Sequence, residues 1–243
     1  MFTQEFKDKI KRKINFVKLV WSSETRHLKK EVNVQKKWFG NDYGGFFVAT
    51  DFINENSVVY SFGIGEDISF DLEIIRKYGA QVYGFDPTPK SIKWISEQAL
   101  PKEFRFYDFG VSDKTGDAVF YFPKNPDFVS GSVVAAQSNI DVNNGIDVHL
   151  KTLADAAQFL NHQKIDILKM DIEGSEYDVL ENIVKSDLYI GQILVEFHDR
   201  FFENGTEKTI RILNILREKG FVMFGISETF DEVSFINKDL IKK

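Results

Sequence analysis

The chain has 243 residues, of which 43% are hydrophobic and 28% charged, with 24 phenylalanines; this supplies the core of one large α/β unit and carries no fibrous or disordered bias. A formal net charge of −6 disfavours a protein that works mainly by wrapping nucleic acid, so no nucleic-acid partner is expected. The lack of cysteine excludes a disulfide framework and thiol catalysis, and no stretch approaches the ~20 apolar residues of a membrane span.

No apolar signal segment opens the chain, so a soluble, cytoplasmic protein is the default expectation. Phe6, Ile10, Ile14, Val17 and Val20 or Trp21 recur at helical spacing with lysines on the opposite face, which predicts an amphipathic helix over residues 4–21. Residues 1–39 are read as a helical extension, and 40–243 as a single domain. Such a helix serves equally well within one subunit or between two, so monomer and dimer stay balanced. In WFGNDYGGFFV, Gly44 and Gly45 interrupt aromatic residues ahead of a short strand.

From residue 58 the rhythm changes. SVVYSFGIG reads as strand then turn, SFDLEIIRKYG as a helix ended by Gly79, QVYGFDPTP as strand and turn, SIKWISEQAL as a helix before Pro101, and FRFYDFGVS as a third strand. This alternation predicts βαβ units on a mostly parallel sheet. DKTGDAVFYFP reads as a strand pair turned at Gly116, and the polar stretch near 123–147 as a loop or lid. The rhythm then resumes: LADAAQFLNH helix, KIDILKMD buried strand, SEYDVLENIVKS helix, QILVEFH strand, TEKTIRILNILREKG helix, and a closing strand pair.

Ligands of open parallel sheets lie beyond the carboxyl ends of the strands. Gly63 and Gly65 end the first core strand and permit close backbone approach. Asp86 follows the next strand, about twenty residues on, the distance at which an acid meets a ribose diol; the bland reading of Asp86 is a turn or cap acid beside Pro87. The segment lacks the lysine and hydroxyl of a phosphate loop and the later glycine of a dinucleotide fingerprint. Glu66 and Asp67 would repel a pyrophosphate, whereas a ligand with a ribose, a base and a cationic amino or sulfonium group suits them. S-adenosylmethionine has those groups.

The segments LKMDIEGSEYDVL, VYSFGIGEDISFD, GFDPTP, FGVSD, TLAD and ILVEFH, in that combined presence and spacing, make the chain resemble the S-adenosylmethionine-dependent methyltransferases of the FkbM type over roughly residues 40–230. The resemblance implies an α/β fold with a doubly wound, seven-stranded, Rossmann-like sheet, and transfer of a methyl group, often to oxygen. It implies Gly63 and Gly65 beneath the cofactor, Asp86 at the ribose, Asp108 at the adenine edge with Phe109 beside the base, and Tyr43 and Gly44 in the aromatic, glycine-rich segment before the core. Ser61 departs from many methyltransferase sheets, which carry an acid just before the glycine turn; Glu66 or Asp67 is then left to meet the methionine amine.

Asp171, Glu173 and Glu176 follow a buried strand, and Glu196 and His198 end the neighbouring one on a common side. An alcohol acceptor benefits from proton removal as it attacks a sulfonium methyl, so His198 or Asp171 is read as base, with Glu173 and Glu196 as acidic support. A divalent metal among Asp171, Glu173, Glu196 and His198 is the alternative use of the same groups. A hydroxyl-bearing small molecule or glycan is the expected acceptor. The competing functional classes are a nicotinamide-dependent oxidoreductase and a non-catalytic nucleotide-binding or partner protein.

Overall fold

The computed structural model describes residues 25–42, 44–124, 131–134 and 140–242; the helix predicted at 4–21 and the candidate Tyr43 lie outside them. The chain first forms a hairpin of β1 (Lys36–Phe39) and β2 (Phe46–Ala49). It continues through β3 (Val58–Phe62), α1 (Ser69–Tyr78), β4 (Gln81–Phe85), α2 (Pro89–Ser96) and β5 (Phe104–Tyr107). The short β6 (Gly110–Val111) and the long β7 (Gly116–Pro123) and β8 (Ile140–Lys151) form a separate three-stranded sheet in the order β6-β8-β7. Then come α3 (Leu153–Phe159), β9 (Lys164–Met170), α4 (Glu176–Ile183), β10 (Tyr189–Glu196), α5 (Gly205–Glu218), β11 (Phe221–Ile226) and β12 (Glu232–Asn237). No helix of the described residues is long and apolar enough to cross a membrane.

The main sheet has seven strands in the order β11-β12-β10-β9-β3-β4-β5. The five inner-to-edge strands β10, β9, β3, β4 and β5 are parallel, and β12 runs antiparallel to β10. The chain winds outward from β3 to β5, then returns to the far side of β3 to build β9 and β10. The order therefore reverses between β3 and β9, and the crevice above a parallel sheet opens at such a point.

Both faces of the sheet are covered, which is why its strands are almost continuously apolar. Tyr60, Phe62, Ile165, Leu168, Met170, Ile193 and Val195 face one layer, packed with Val179, Leu180 and Ile183 of α4 and Ile212, Leu213 and Leu216 of α5. Val59, Ile167 and Leu194 face the other, with Phe70, Ile74 and Ile75 of α1 and Phe46 and Val48 of β2. The helix α1 stops where its apolar spacing stops: Gly79 takes a left-handed conformation at φ 68° and its N–H closes on the Ile75 carbonyl at 2.7 Å.

Two expectations change. Residues 140–147 of the expected 123–147 lid are strand, paired with β7 through Gly145↔Tyr121, Ile146↔Phe120 and Asp147↔Val119; their polar side chains read as a loop because most of β8 faces water. The described part of the expected 1–39 helical extension is a turn, an extended stretch and β1.

Leu168 is fully buried in the central strand. Leu168→Ala should cost roughly 2–5 kcal/mol through lost transfer energy and the cavity left behind, read as a lowered midpoint in urea unfolding with an unchanged slope.

Candidate functional site

The glycine turn lies at the carboxyl end of β3. Gly63 has φ 77° and Gly65 φ 54°, a region that favours glycine. A Cβ on Gly63 would sit 1.7 Å from the backbone oxygen of Asp171, with no possibility of accommodation. The Gly63 N–H donates to the Phe85 carbonyl at 3.0 Å, and the Gly65 N–H donates to Asp86 Oδ2 at 2.9 Å. Asp86, 6% exposed, also accepts from Thr88 N–H at 2.9 Å and the Thr88 hydroxyl at 2.6 Å through Oδ1. The glycine turn and the distant acid thus touch, and a carboxylate with roughly four acceptor positions keeps room for a ligand hydroxyl.

The other cofactor candidates are used differently. Glu66 pairs with Lys90 at 2.7 Å on the surface. Asp67 accepts from the Ser69 N–H at 2.9 Å and the Asn41 side-chain amide at 2.7 Å, and Asn41 in turn accepts from the Gly44 N–H at 2.8 Å. Asp67 therefore holds the start of α1 to the aromatic, glycine-rich segment. A Cβ at Gly44 would lie 2.9 Å from Asp67 Oδ2, so a side chain there would displace that carboxylate. Asp108 is exposed beyond β5. Phe109 belongs to the core, 5% exposed and packed against Phe85 and Tyr107 at centroid distances of 5.2 and 5.9 Å.

The second group assembles around His198. Asp171 leaves β9 with its N–H on the Phe62 carbonyl at 3.1 Å. Glu173 and Gly174 follow at φ 52° and 95°, a left-handed pair that turns the chain into α4 and is uncommon for a non-glycine residue. His198 Nε2 lies 3.3 Å from Glu173, 3.4 Å from Glu196 and 3.7 Å from Asp171. The imidazole is 1% exposed, against 27%, 24% and 15% for the side chains of Asp171, Glu173 and Glu196. Phe201 stacks on the imidazole at 5.1 Å. The carboxylates face the crevice and the histidine lies beneath them. Ser132, in the described part of the 123–147 stretch, donates its hydroxyl to the Glu173 carbonyl at 2.7 Å.

Crowded acids in a partly buried place hold protons. Burial favours a neutral His198, but Glu176, Glu173 and Asp171 together outweigh it and push the ring up to about 10. Burial first, and then the charge of Asp171, push Glu196 up to about 8, while His198 and Arg200 pull it back. Asp171, Glu196 and His198 each offer a ligand atom within 4.8 Å of the others, a grouping that suits a divalent cation.

Glu176, the third acid of that turn, and two residues that the sequence reading did not single out, Lys169 and Asp71, complete the surroundings. Glu176 is fully buried; its Oε2 accepts from the Gly174 N–H and its Oε1 from the His198 N–H, each at 2.8 Å. It also faces His198 Nδ1 at 3.3 Å, without hydrogen-bonding geometry. Lys169 is 4% exposed, flanked on its strand by the fully buried Ile167, Leu168 and Met170, and donates to the Gly63 carbonyl at 3.0 Å. Asp71, 1% exposed, lies on the apolar side of α1 with Ile74 and Ile75. A charge placed in an apolar pattern is the signal that would have found the last two.

Residues 57–223 match the family model described as the methyltransferase FkbM domain. The chain is 26% identical over 196 residues to probable methyltransferase-like protein 24 of Rattus norvegicus, covering 75% of this chain and 46% of that protein. It is 25% identical over 150 residues to the 2-O-methyltransferase NoeI of Sinorhizobium fredii, covering 56% of this chain and 61% of that one. The chain thus spans about half the length of the methyltransferase-like relative it matches. A fibrillarin pre-rRNA processing protein of Methanococcus jannaschii superposes with a TM-score of 0.44 at 14% identity, over 75% of this chain and 66% of that one, too distant to inform the site.

Glu176→Ala should cost about 3–5 kcal/mol, because it strands two buried backbone donors and removes the acid beneath the imidazole. Glu176→Gln keeps one acceptor oxygen and should cost less. Urea midpoints of the two variants check the order.

Proposed function

The chain belongs to the methyltransferase FkbM domain family, and from that premise we propose that it moves the methyl group of S-adenosylmethionine to a hydroxyl oxygen of a small molecule or glycan. The observation that carries the reading is the contact of Gly63 with Asp171: the turn suited to the cofactor abuts the strand end that bears the acids. A donor above the first and an acceptor above the second would meet in one crevice, which is what methyl transfer requires.

In the step itself the acceptor oxygen attacks the methyl carbon, the carbon–sulfur bond breaks, and S-adenosylhomocysteine leaves with the electron pair. The hydroxyl proton passes to a carboxylate. Asp171 takes that role here because it is more exposed to the crevice than His198, whose ring is covered. Glu173 and Glu196 orient the acceptor, and His198 supports all three from below. Gly63, Gly65 and Asp86 bind the cofactor's amino-acid and ribose portions. The 2-O-methyltransferase relative supports an oxygen acceptor.

A second reading places a divalent cation among Asp171, Glu196 and His198. Ligands about 2.1 Å from one ion stand roughly 3.0–3.4 Å apart, and the distances from His198 Nε2 to Glu196, 3.4 Å, and to Asp171, 3.7 Å, come close to that spacing. Such an ion would lower the pKa of an acceptor hydroxyl.

Labelled S-adenosylmethionine supplied with a broad acceptor extract should yield a methylated product. Asp171→Asn should lower kcat by about 100-fold or more while cofactor affinity holds within about threefold. A wild-type chain that neither binds nor consumes the cofactor ends the first reading. For the second, chelator-treated protein should bind Mn²⁺ at one site that Glu196→Gln abolishes; Mn²⁺ binding that is absent, or indifferent to that change, removes it.

A further inference from the structure

Beneath the glycine turn lies a group of buried polar side chains that the proposed reaction leaves unused. Ser61 on β3 and Lys169 on β9 are direct partners in the parallel register. By strand alternation both face the layer that holds Val59, Ile167, Phe46 and Phe70. Their exposures are 0% and 4%, and Asp71, 1% exposed, is in the first turn of α1 next to Phe70, whose ring packs edge-on against Phe46 at 6.0 Å. Around them the layer is apolar: Lys169 Nζ lies 6.0 Å from the centroid of the Phe46 ring.

A lysine and an aspartate hold such positions only when they compensate one another. Burial pushes the Asp71 carboxyl up, to about 6, with the Lys169 charge and the Ser61 hydroxyl pulling it back down. The three are therefore electrostatic neighbours. The helix start that carries Asp71 also favours a negative charge. Ser61 Oγ and Asp71 Oδ1 are buried without a hydrogen-bond partner, while Lys169 spends a donor on the Gly63 carbonyl at 3.0 Å. That carbonyl belongs to the residue whose backbone lies against Asp171.

We propose that Ser61, Asp71 and Lys169 form one positioning unit, in which Lys169 holds the glycine turn through the Gly63 carbonyl and Asp71 supplies from α1 the counter-charge that keeps the buried lysine there. Ser61, directly opposite Lys169 on β3, is a position from which a carboxylate would serve the same lysine. The cofactor part of this inference rests on the methyltransferase reading; the hold on the turn does not.

The test is a charge relocation in the full chain, comparing wild type, Lys169→Met, Asp71→Asn, Ser61→Asp, and the double variant Ser61→Asp with Asp71→Asn. Two readouts are taken: S-adenosylhomocysteine affinity by calorimetry, and hydrogen exchange of the amides at 63–67 without ligand, with the unfolding midpoint measured in parallel. Lys169→Met and Asp71→Asn should each weaken binding about tenfold, the size of losing a charged hydrogen bond or its counter-charge, and should speed exchange at 63–67 more than elsewhere. The double variant should recover both readouts to within about threefold of wild type. A double variant no better than Asp71→Asn overturns the proposal, as does exchange at 63–67 that only follows the global midpoint. If wild type binds no S-adenosylhomocysteine, the methyltransferase reading falls, and the exchange pattern alone decides the positioning unit.

Discussion

The structure turns on the contact between the end of β3 and the end of β9. Strand register sets Phe62 beside Met170, and one residue later the Gly63 backbone presses against the Asp171 carbonyl so closely that no side chain fits. Everything of chemical interest is hung from this contact. On one side the turn continues through Gly65 to Asp86, and on the other the chain continues through Asp171 to the acid turn. A parallel sheet brings two chain segments over 100 residues apart in sequence to the same edge of the crevice, and only a reversal of strand order leaves that edge open.

The fold carries a concentration of charge at this edge that a purely stabilising design would avoid. Asp171, Glu173, Glu176 and Glu196 surround one imidazole, Glu173 adopts a left-handed backbone, and Asp71 and Lys169 are buried nearby. Such arrangements cost stability and concentrate where a protein does chemistry. They persist because the surroundings are over-determined. Glu176 fastens the backbone of the acid turn to that of His198, and the apolar layers on both faces keep β9 from shifting. The carboxylates keep their access to the crevice while the histidine beneath them is shielded.

Much of the fold was legible in the residues. Phe70, Ile74 and Ile75 with the closing Gly79 mark α1, and the buried Ile165, Ile167, Leu168 and Met170 of β9 mark a strand covered on both faces. The placement of Gly63, Gly65 and Asp86 at the ends of neighbouring strands followed from their spacing and strand contexts, whereas the hydrogen bond from Gly65 to Asp86 did not. The stretch from 140 to 147 was not legible as strand, because a water-facing hairpin has neither apolar run nor clean alternation. The core packing of Phe109 and the capping contacts of Asp67 were not legible for a different reason. An aromatic ring or an acid near a strand end has the same local pattern whether it meets a ligand or the protein's own core and caps.

The sequence by itself determined which residue types stand at the strand ends, since periodicity, glycine punctuation and the position of each acid are local properties carried along the chain. It determined a doubly wound sheet and the candidates Gly63, Gly65, Asp86, Asp171, Glu173, Glu196 and His198. Only the tertiary structure decided which of these share a neighbourhood and what lies beneath them. Burial of His198 under three carboxylates, the hold of Glu176 on two backbone amides, and the meeting of Ser61, Asp71 and Lys169 all depend on strand register and on helices packed across a sheet. Burial and charge proximity are properties of through-space distance, and no local pattern carries them.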